Sequence, residues 1–202
     1  MDERPFFCYF CFKWVKLLKN KLLTGLETAP VIAAVRERFF FDALESPSEV
    51  IFLLGCDILT IGDKIKRTHD KGKYIFVHID LCDGIGKDKS GIRFLSNLGV
   101  DGIISTKSNL IKYAKEQGLL TVQRFFAYDS HGIVGIGEVA ITTEPDFIEI
   151  MPGVVGKITK RFSRIGIPLI SGGLIEIKTE VTDALKNGAF AVSTGKKELW
   201  YI

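Results

Sequence analysis

From Val31 onward, eight short runs rich in β-branched residues recur, and most are separated by amphipathic stretches. They are Val31–Val35, Val50–Leu54, Tyr74–Asp80, Gly102–Thr106, Leu120–Phe126, Phe147–Met151, Pro168–Gly173 and Ala189–Thr194. Runs of this kind read as strands buried on both faces, which is the condition of parallel strands. After the second run, Ile58, Ile61 and Ile65 fall on one helical stripe, with Lys64, Arg67 and Lys71 on another. After the sixth, Val155, Ile158, Phe162 and Ile165 recur at helical spacing and face inward. Gly72, Gly99, Gly118, Gly166 and Gly188 each precede a run, where a helix end needs a left-handed residue.

Eight such units predict a single compact α/β domain, a (β/α)8 TIM-barrel-like fold. The competing open, doubly wound sheet would carry a glycine-rich turn after its first strand. Arg36-Glu37-Arg38 follows Val35 instead, so the barrel is preferred. Residues 31–202 leave about 21 residues per unit, fewer than the ~250-residue total of a typical barrel allows. Two connections strain this allotment. The helix around Glu37–Glu45 is short, and His131–Glu144 is glycine-rich and weakly helical.

The chain is 47% hydrophobic and has no long polar tract, which excludes disorder as its main state. Four scattered cysteines make no disulfide framework, and a reducing, cytoplasmic setting is expected. Residues 1–29 stand apart as an N-terminal extension, followed by a barrel domain over 30–202. Phe6–Phe12 is apolar and precedes Lys13, Lys16, Lys19 and Lys21, the reverse of a secretory signal, and it is too short to span a membrane. Cys8 and Cys11 have the spacing of half a zinc site, but no second pair follows nearby. The segment reads either as a basic amphipathic helix or as an addition outside the fold.

Barrel chemistry gathers at the C-terminal ends of strands. Those ends carry Arg36, His78, Asp80, Lys107, Arg124 and Glu149. Alternation turns Ile75, Val77 and Ile79 toward the helices and His78 with Asp80 into the mouth. By the same rule Glu149 points inward between Ile148 and Ile150. An inward carboxylate is costly unless paired or wetted, so Glu149 either pairs with Arg36 or Arg124 or serves a ligand. His78 is read as a site residue, the alternative being a satisfied core histidine.

The last two runs carry the sharpest local signal: Gly172 and Gly173 end the seventh, and Ser193, Thr194 and Gly195 end the eighth. Consecutive glycines let backbone N–H groups approach an anion, and a following helix start favours negative charge. In TIM barrels these two loops commonly hold phosphate. The bland alternative is a tight turn after the strand.

The segments HIDLCDGIGKDKSGIRFL (78–95), DGIISTKSNLIKYAKEQGLLTVQRFF (101–126), PDFIEIMPGVV (145–155) and IPLISGGLI through AFAVSTGKKELW (167–200) resemble the glycerol uptake operon antiterminator regulatory protein family. The resemblance runs from about Pro30 to the C-terminus. It implies a TIM-barrel-like fold, glycerol 3-phosphate as effector, and antitermination through leader mRNA. Its motif positions fall on Arg36, His78, Asp80, Asp88, Gly91, Ser105, Thr106, Lys107, Ser108, Gln123, Arg124, Asp129, Glu149, Pro152, Gly153, Gly172, Gly173, Ser193 and Lys197. Residues 1–29 and the poorly helical Ser130–Thr143 depart from the family pattern.

Residues 31–202 are nearly neutral, which argues against a broad nucleic-acid surface. Lys157, Lys160, Arg161 and Arg164 nevertheless gather at helical spacing and form either a local RNA patch or a solvated face. A homodimer would bring two such patches together. The rival class is an enzyme acting on a phosphorylated small molecule, with Asp80, Glu149 or His78 as base. The chain carries no nucleophile elbow, HExxH or GxxxxGKS motif. Asp80 with Glu149 supports Mg2+ only weakly, so the expectation is no catalysis, no cofactor and no metal.

Overall fold

A computed structural model of the chain describes residues 7–202. The side chains of residues 7–14, 130 and 131 lie outside that description, and with them the Cys8–Cys11 spacing. In chain order the strands are β1 (Val31–Val35), β2 (Val50–Leu53), β3 (Cys56–Asp57), β4 (Tyr74–His78), β5 (Cys82–Asp83), β6 (Gly102–Ser105), β7 (Leu120–Phe126), β8 (Phe147–Met151), β9 (Leu169–Gly172) and β10 (Ala191–Thr194). Eight of them close into a barrel in the order β1-β10-β9-β8-β7-β6-β4-β2. Every neighbouring pair is parallel. The eight runs are therefore the eight barrel strands, several trimmed by one or two residues. The short β3 and β5 pair with each other at the mouth end.

The helices are α1 (Phe7–Thr28), α2 (Phe40–Glu45), α3 (Ile61–Asp70), α4 (Lys89–Asn97), α5 (Ser108–Glu116), α6 (Ser130–Thr143), α7 (Gly156–Phe162) and α8 (Lys178–Lys186). Among the described residues, no helix is long and apolar enough to cross a membrane. The left-handed glycines expected before strands are found, with positive φ at Gly72, Gly99, Gly118, Gly166 and Gly188.

One expectation fails. The glycine-rich stretch after β7, read as weakly helical, is a continuous helix of 14 residues. Asp129 caps it by accepting the Gly132 N–H at 2.8 Å, and Ile136 and Ala140 are buried against β7 and β8. Packing outweighs the low intrinsic propensity of its glycines.

Alternation sorts the barrel into two cores. Outward residues such as Ile51, Ile75, Ile103 and Val192 pack under the helices. Inward residues such as Ile32, Phe52, Phe76, Val122 and Ile170 fill the lower interior, where the Phe52 and Phe76 rings lie 5.5 Å apart.

The N-terminal segment joins this inner core. Leu22 and Leu26 of α1 are each 2% exposed and pack on Val50, Phe52, Phe147 and Ile170. Lys19 Nζ donates to Asp146 Oδ1 at 2.9 Å, while Asp146 Oδ2 accepts the Thr121 N–H and hydroxyl. The described side chains of α1, from Val15 to Leu26, thus cover the N-terminal end of the barrel. Fully burying one leucine stabilises by roughly 1.5–3 kcal/mol.

Leu26→Ala is expected to destabilise the chain by about 2–5 kcal/mol, the range for an unfilled core cavity. Urea unfolding checks it: a helix that only lies beside the barrel would leave the midpoint unchanged.

Candidate functional site

Above Phe52 and Phe76 the barrel interior changes character. The next inward positions are His78 on β4, Arg124 on β7, Glu149 on β8 and Ser193 on β10, and all four are buried. Arg124 and Glu149 are direct partners across parallel strands. Arg124 Nε donates to Glu149 Oε2 at 2.6 Å, and Ser193 Oγ donates to Glu149 Oε1 at 2.5 Å. Glu149 is 0% exposed and Arg124 5%. A carboxylate so buried requires such partners. Of the two pairings considered for Glu149, the structure has Arg124; Arg36 lies exposed in the turn after β1.

The arrangement leaves polar capacity unused. Arg124 Nη2 and His78 Nδ1 are buried with no hydrogen-bond partner among the described residues. His78 Nδ1 lies 4.0 Å from Asp80 Oδ2. Burial, helped by the Arg124 charge, pushes the imidazole down to about 4, against the opposing pull of Asp80 and Glu149. His78 is therefore neutral at pH 7, offering one donor and one acceptor.

Asp80 is largely engaged by the end of β6. Its Oδ1 accepts Ser105 Oγ at 2.9 Å, and its Oδ2 accepts the Thr106 N–H at 2.8 Å and Thr106 Oγ1 at 3.0 Å. Lys107 sits next to this knot, exposed at the start of α5. Asp80 and Glu149 therefore hold separate sets of partners. Among the described residues, no group of three or more His, Cys, Asp or Glu side chains is placed to hold a metal.

The two glycine loops stand beside the ion pair. A Cβ on Gly172 would lie 2.5 Å from Ser193 Oγ and 2.6 Å from Glu149 Oε1, so glycine is required for the strands to close here. Gly173 has φ +76°, which favours glycine by itself. The Gly153 N–H donates to the carbonyls of Gly172 and Gly173 and ties the loop after β8 to the loop after β9.

Two details differ from the sequence reading. Thr194 faces away from the interior: its hydroxyl donates to the Ile175 carbonyl at 2.7 Å and accepts the Lys196 N–H at 3.1 Å. Alternation from Ser193 accounts for this. The helix expected directly behind Gly173 begins only at Lys178, after Leu174 turns with φ +61°. Gly195 is exposed, and behind it comes a five-residue 3-10 turn, Lys197–Tyr201. There Lys197 Nζ is bound to Asp42 at 2.7 Å. The structure therefore brings together His78, Arg124, Glu149, Gly172 and Ser193, with Asp80, Gly173 and Gly195 around them and Arg36 and Lys107 on exposed turns.

One feature escaped the sequence. Phe126 and Tyr128 stack at the mouth with centroids 5.5 Å apart and planes 7° apart, both exposed. Phe126 shares the inward parity of Arg124, and that was the available signal.

Lys157, Lys160, Arg161 and Arg164 are all exposed, while Ile158 and Phe162 are buried. Helix α7 ends at Phe162, so Arg164 lies in the following turn and not on the helix.

The family model described as glycerol-3-phosphate responsive antiterminator matches residues 31–200. A protein of Escherichia coli (strain K12) named uncharacterized protein YgcP is 35% identical over 185 residues, covering 89% of this chain and 95% of that protein. The crystal structure of a glycerol uptake operon antiterminator regulatory protein from Listeria monocytogenes superposes with a TM-score of 0.80 at 32% identity, covering 84% of this chain and 94% of its own. A glycerol uptake operon antiterminator-related protein from Thermotoga maritima gives a TM-score of 0.76 at 34% identity, covering 84% and 96%.

His78 also has a consequence for stability. Between the unfolded value of about 6.5 and the folded value of about 4, the unfolded chain binds the extra proton and the native chain does not. Stability contributed by the neutral ring is thus complete above pH 6.5 and falls as pH drops through this window, by up to about 3 kcal/mol. Urea midpoints measured from pH 7 to pH 4 should decline more steeply in the wild type than in His78→Gln. Parallel curves would place His78 in a wetter setting.

Proposed function

Because the chain belongs to the family of glycerol-3-phosphate responsive antiterminators, we propose that its barrel mouth binds glycerol 3-phosphate, or a similar phosphoester, and thereby promotes antitermination through leader mRNA. The observation that carries the ligand reading is Arg124: its Nη2 is buried and unpartnered among the described residues, although its Nε is already committed to Glu149. A guanidinium offers planar, paired donors suited to phosphate. In this reading the phosphate lies against the backbone of Gly172–Gly173 and Ser193–Gly195. The glyceryl hydroxyls meet neutral His78 and Asp80, and Arg36 and Lys107 add positive charge at the rim.

Calorimetry with glycerol 3-phosphate tests the site. Gly173→Asp adds a negative charge where the phosphate would rest and should abolish binding. Since positive φ strains any side chain there, Gly195→Asp serves as the second variant. Gly195 has ordinary φ, and its Cβ would meet only the Ala34 carbonyl at 3.4 Å. Binding that survives Gly195→Asp undiminished places the phosphate elsewhere. A second reading, an enzyme acting on a phosphorylated substrate, draws on His78 being unprotonated 4.0 Å from Asp80 and so free to accept a proton, although burial makes it a weak base. Glycerol 3-phosphate incubated with the protein should remain intact. Product formation lost in Asp80→Asn would move the assignment to that class.

For RNA, the reading rests on the exposed Lys157, Lys160, Arg161 and Arg164, carried by the same strand–helix unit as Glu149. A homodimer would present two such faces to one leader. Lys160→Glu with Arg164→Glu should weaken leader-RNA binding and flatten its dependence on salt, by about 0.7–0.9 in log–log slope per lost phosphate contact. Gel shifts at two salt concentrations, with and without glycerol 3-phosphate, check this. An unchanged slope makes the face a solvated one.

A further inference from the structure

Two cysteines play no part in the proposed ligand site, yet the fold sets them side by side. Cys56 on β3 and Cys82 on β5 are direct partners in a two-stranded parallel sheet at the mouth end of the barrel. Both are free thiols. Neighbouring strands lie ~4.8 Å apart, within the ~4.4–6.8 Å between Cα atoms that a disulfide spans. The Cys82 Sγ donates to the His78 carbonyl oxygen at 3.5 Å.

We propose that Cys56 and Cys82 form a reversible dithiol–disulfide site that reacts with low-molecular-weight disulfides. The roles of the two sulfurs differ. Contact with Cys82 holds the Cys56 thiol below its ordinary range, against burial and with the Lys64 and Lys87 charges assisting, while the Cys82 proton itself goes to the His78 carbonyl. Lys87 is pinned nearby, its Nζ donating to the Cys82 carbonyl and, at 3.0 Å, to that of Ile85. Contact with Cys56, together with burial, pushes the Cys82 thiol up. Because the His78 carbonyl holds the Cys82 proton, Cys56 is the attacking thiolate and Cys82 the resolving thiol.

The Cys56 thiolate attacks one sulfur of R–S–S–R, forming a Cys56–S–S–R mixed disulfide and releasing RS⁻. The Cys82 thiol gives its proton to that thiolate and attacks Cys56 Sγ, forming the Cys56–Cys82 bond and releasing the second RS⁻. The protein loses two electrons and two protons, and R–S–S–R becomes two thiols once the second RS⁻ takes the proton released by Cys56. Cys56 and Cys82 are only 4% and 3% exposed. Reaction therefore requires the two-residue strands to part, an opening that short, loop-borne pairings undergo far more readily than core strands. The bond formed would join the loop after β2 to the loop after β4, which carries Asp80.

Peptide mapping on the native full chain decides the matter, using glutathione disulfide as oxidant and alkylation to trap free thiols. Lys64, Lys66, Arg67, Lys71 and Lys73 separate the two cysteines on tryptic digestion, and Lys13 cuts Cys8 and Cys11 away. The expected product is a Cys56–Cys82 cross-linked peptide that dithiothreitol reverses. In Cys82→Ser, glutathione should accumulate on Cys56; in Cys56→Ser, Cys82 should stay alkylatable. Wild-type protein with both cysteines fully alkylated overturns the proposal, as does a cross-link that forms only in urea. Cys82 in Cys56→Ser reacting as fast as Cys56 in Cys82→Ser overturns it too. None of these outcomes depends on whether the mouth binds glycerol 3-phosphate.

Discussion

A carboxylate with no solvent exposure lies inside the barrel, and the neighbouring residues are arranged to accommodate it. Glu149 sits on β8, where alternation gives an inward side chain no route to water. Arg124, its partner in the neighbouring strand, takes one oxygen, and Ser193 takes the other. Gly172 then has to be glycine, because any Cβ there would overlap Ser193 and Glu149. Such a pair is weak evidence of stability, since two apolar residues of similar volume would often hold a barrel at least as well. At the mouth it leaves one guanidinium nitrogen of Arg124 over, which is the group the proposed ligand would take up.

The polar layer has meaning only against the apolar one beneath it. Phe52, Phe76, Val122 and Ile170 fill the lower interior, and Leu22 and Leu26 of α1 seal it. That dry floor desolvates His78 and keeps its ring neutral, so the lower core sets the chemistry of the upper layer.

Much of this was legible in the sequence, for identifiable reasons. Strands buried on both faces produce unbroken β-branched runs, and left-handed glycines punctuate the helix ends, so the eight units could be counted. The inward direction of His78 and Glu149 followed from period two. Applying the same rule to the last strand would have turned Thr194 outward. The partner of Glu149 was not legible, because Arg36 and Arg124 both stand at strand ends and only the β7–β8 register chooses between them. Helix α6 was underrated because its glycines dominate local propensity, whereas Ile136 and Ala140 derive their value from packing. The role of Leu22 and Leu26 was hidden for a related reason: an apolar helix face in a sequence does not name the surface it covers.

That cover changes the topology available to a ligand. With side chains filling the lower interior and α1 across its end, the barrel has one open rim and a solid base. The proposed phosphoester would arrive and depart by that opening, past Phe126, Tyr128 and the glycine loops. In that reading, occupancy is reported outward only at this rim, where the barrel strands end.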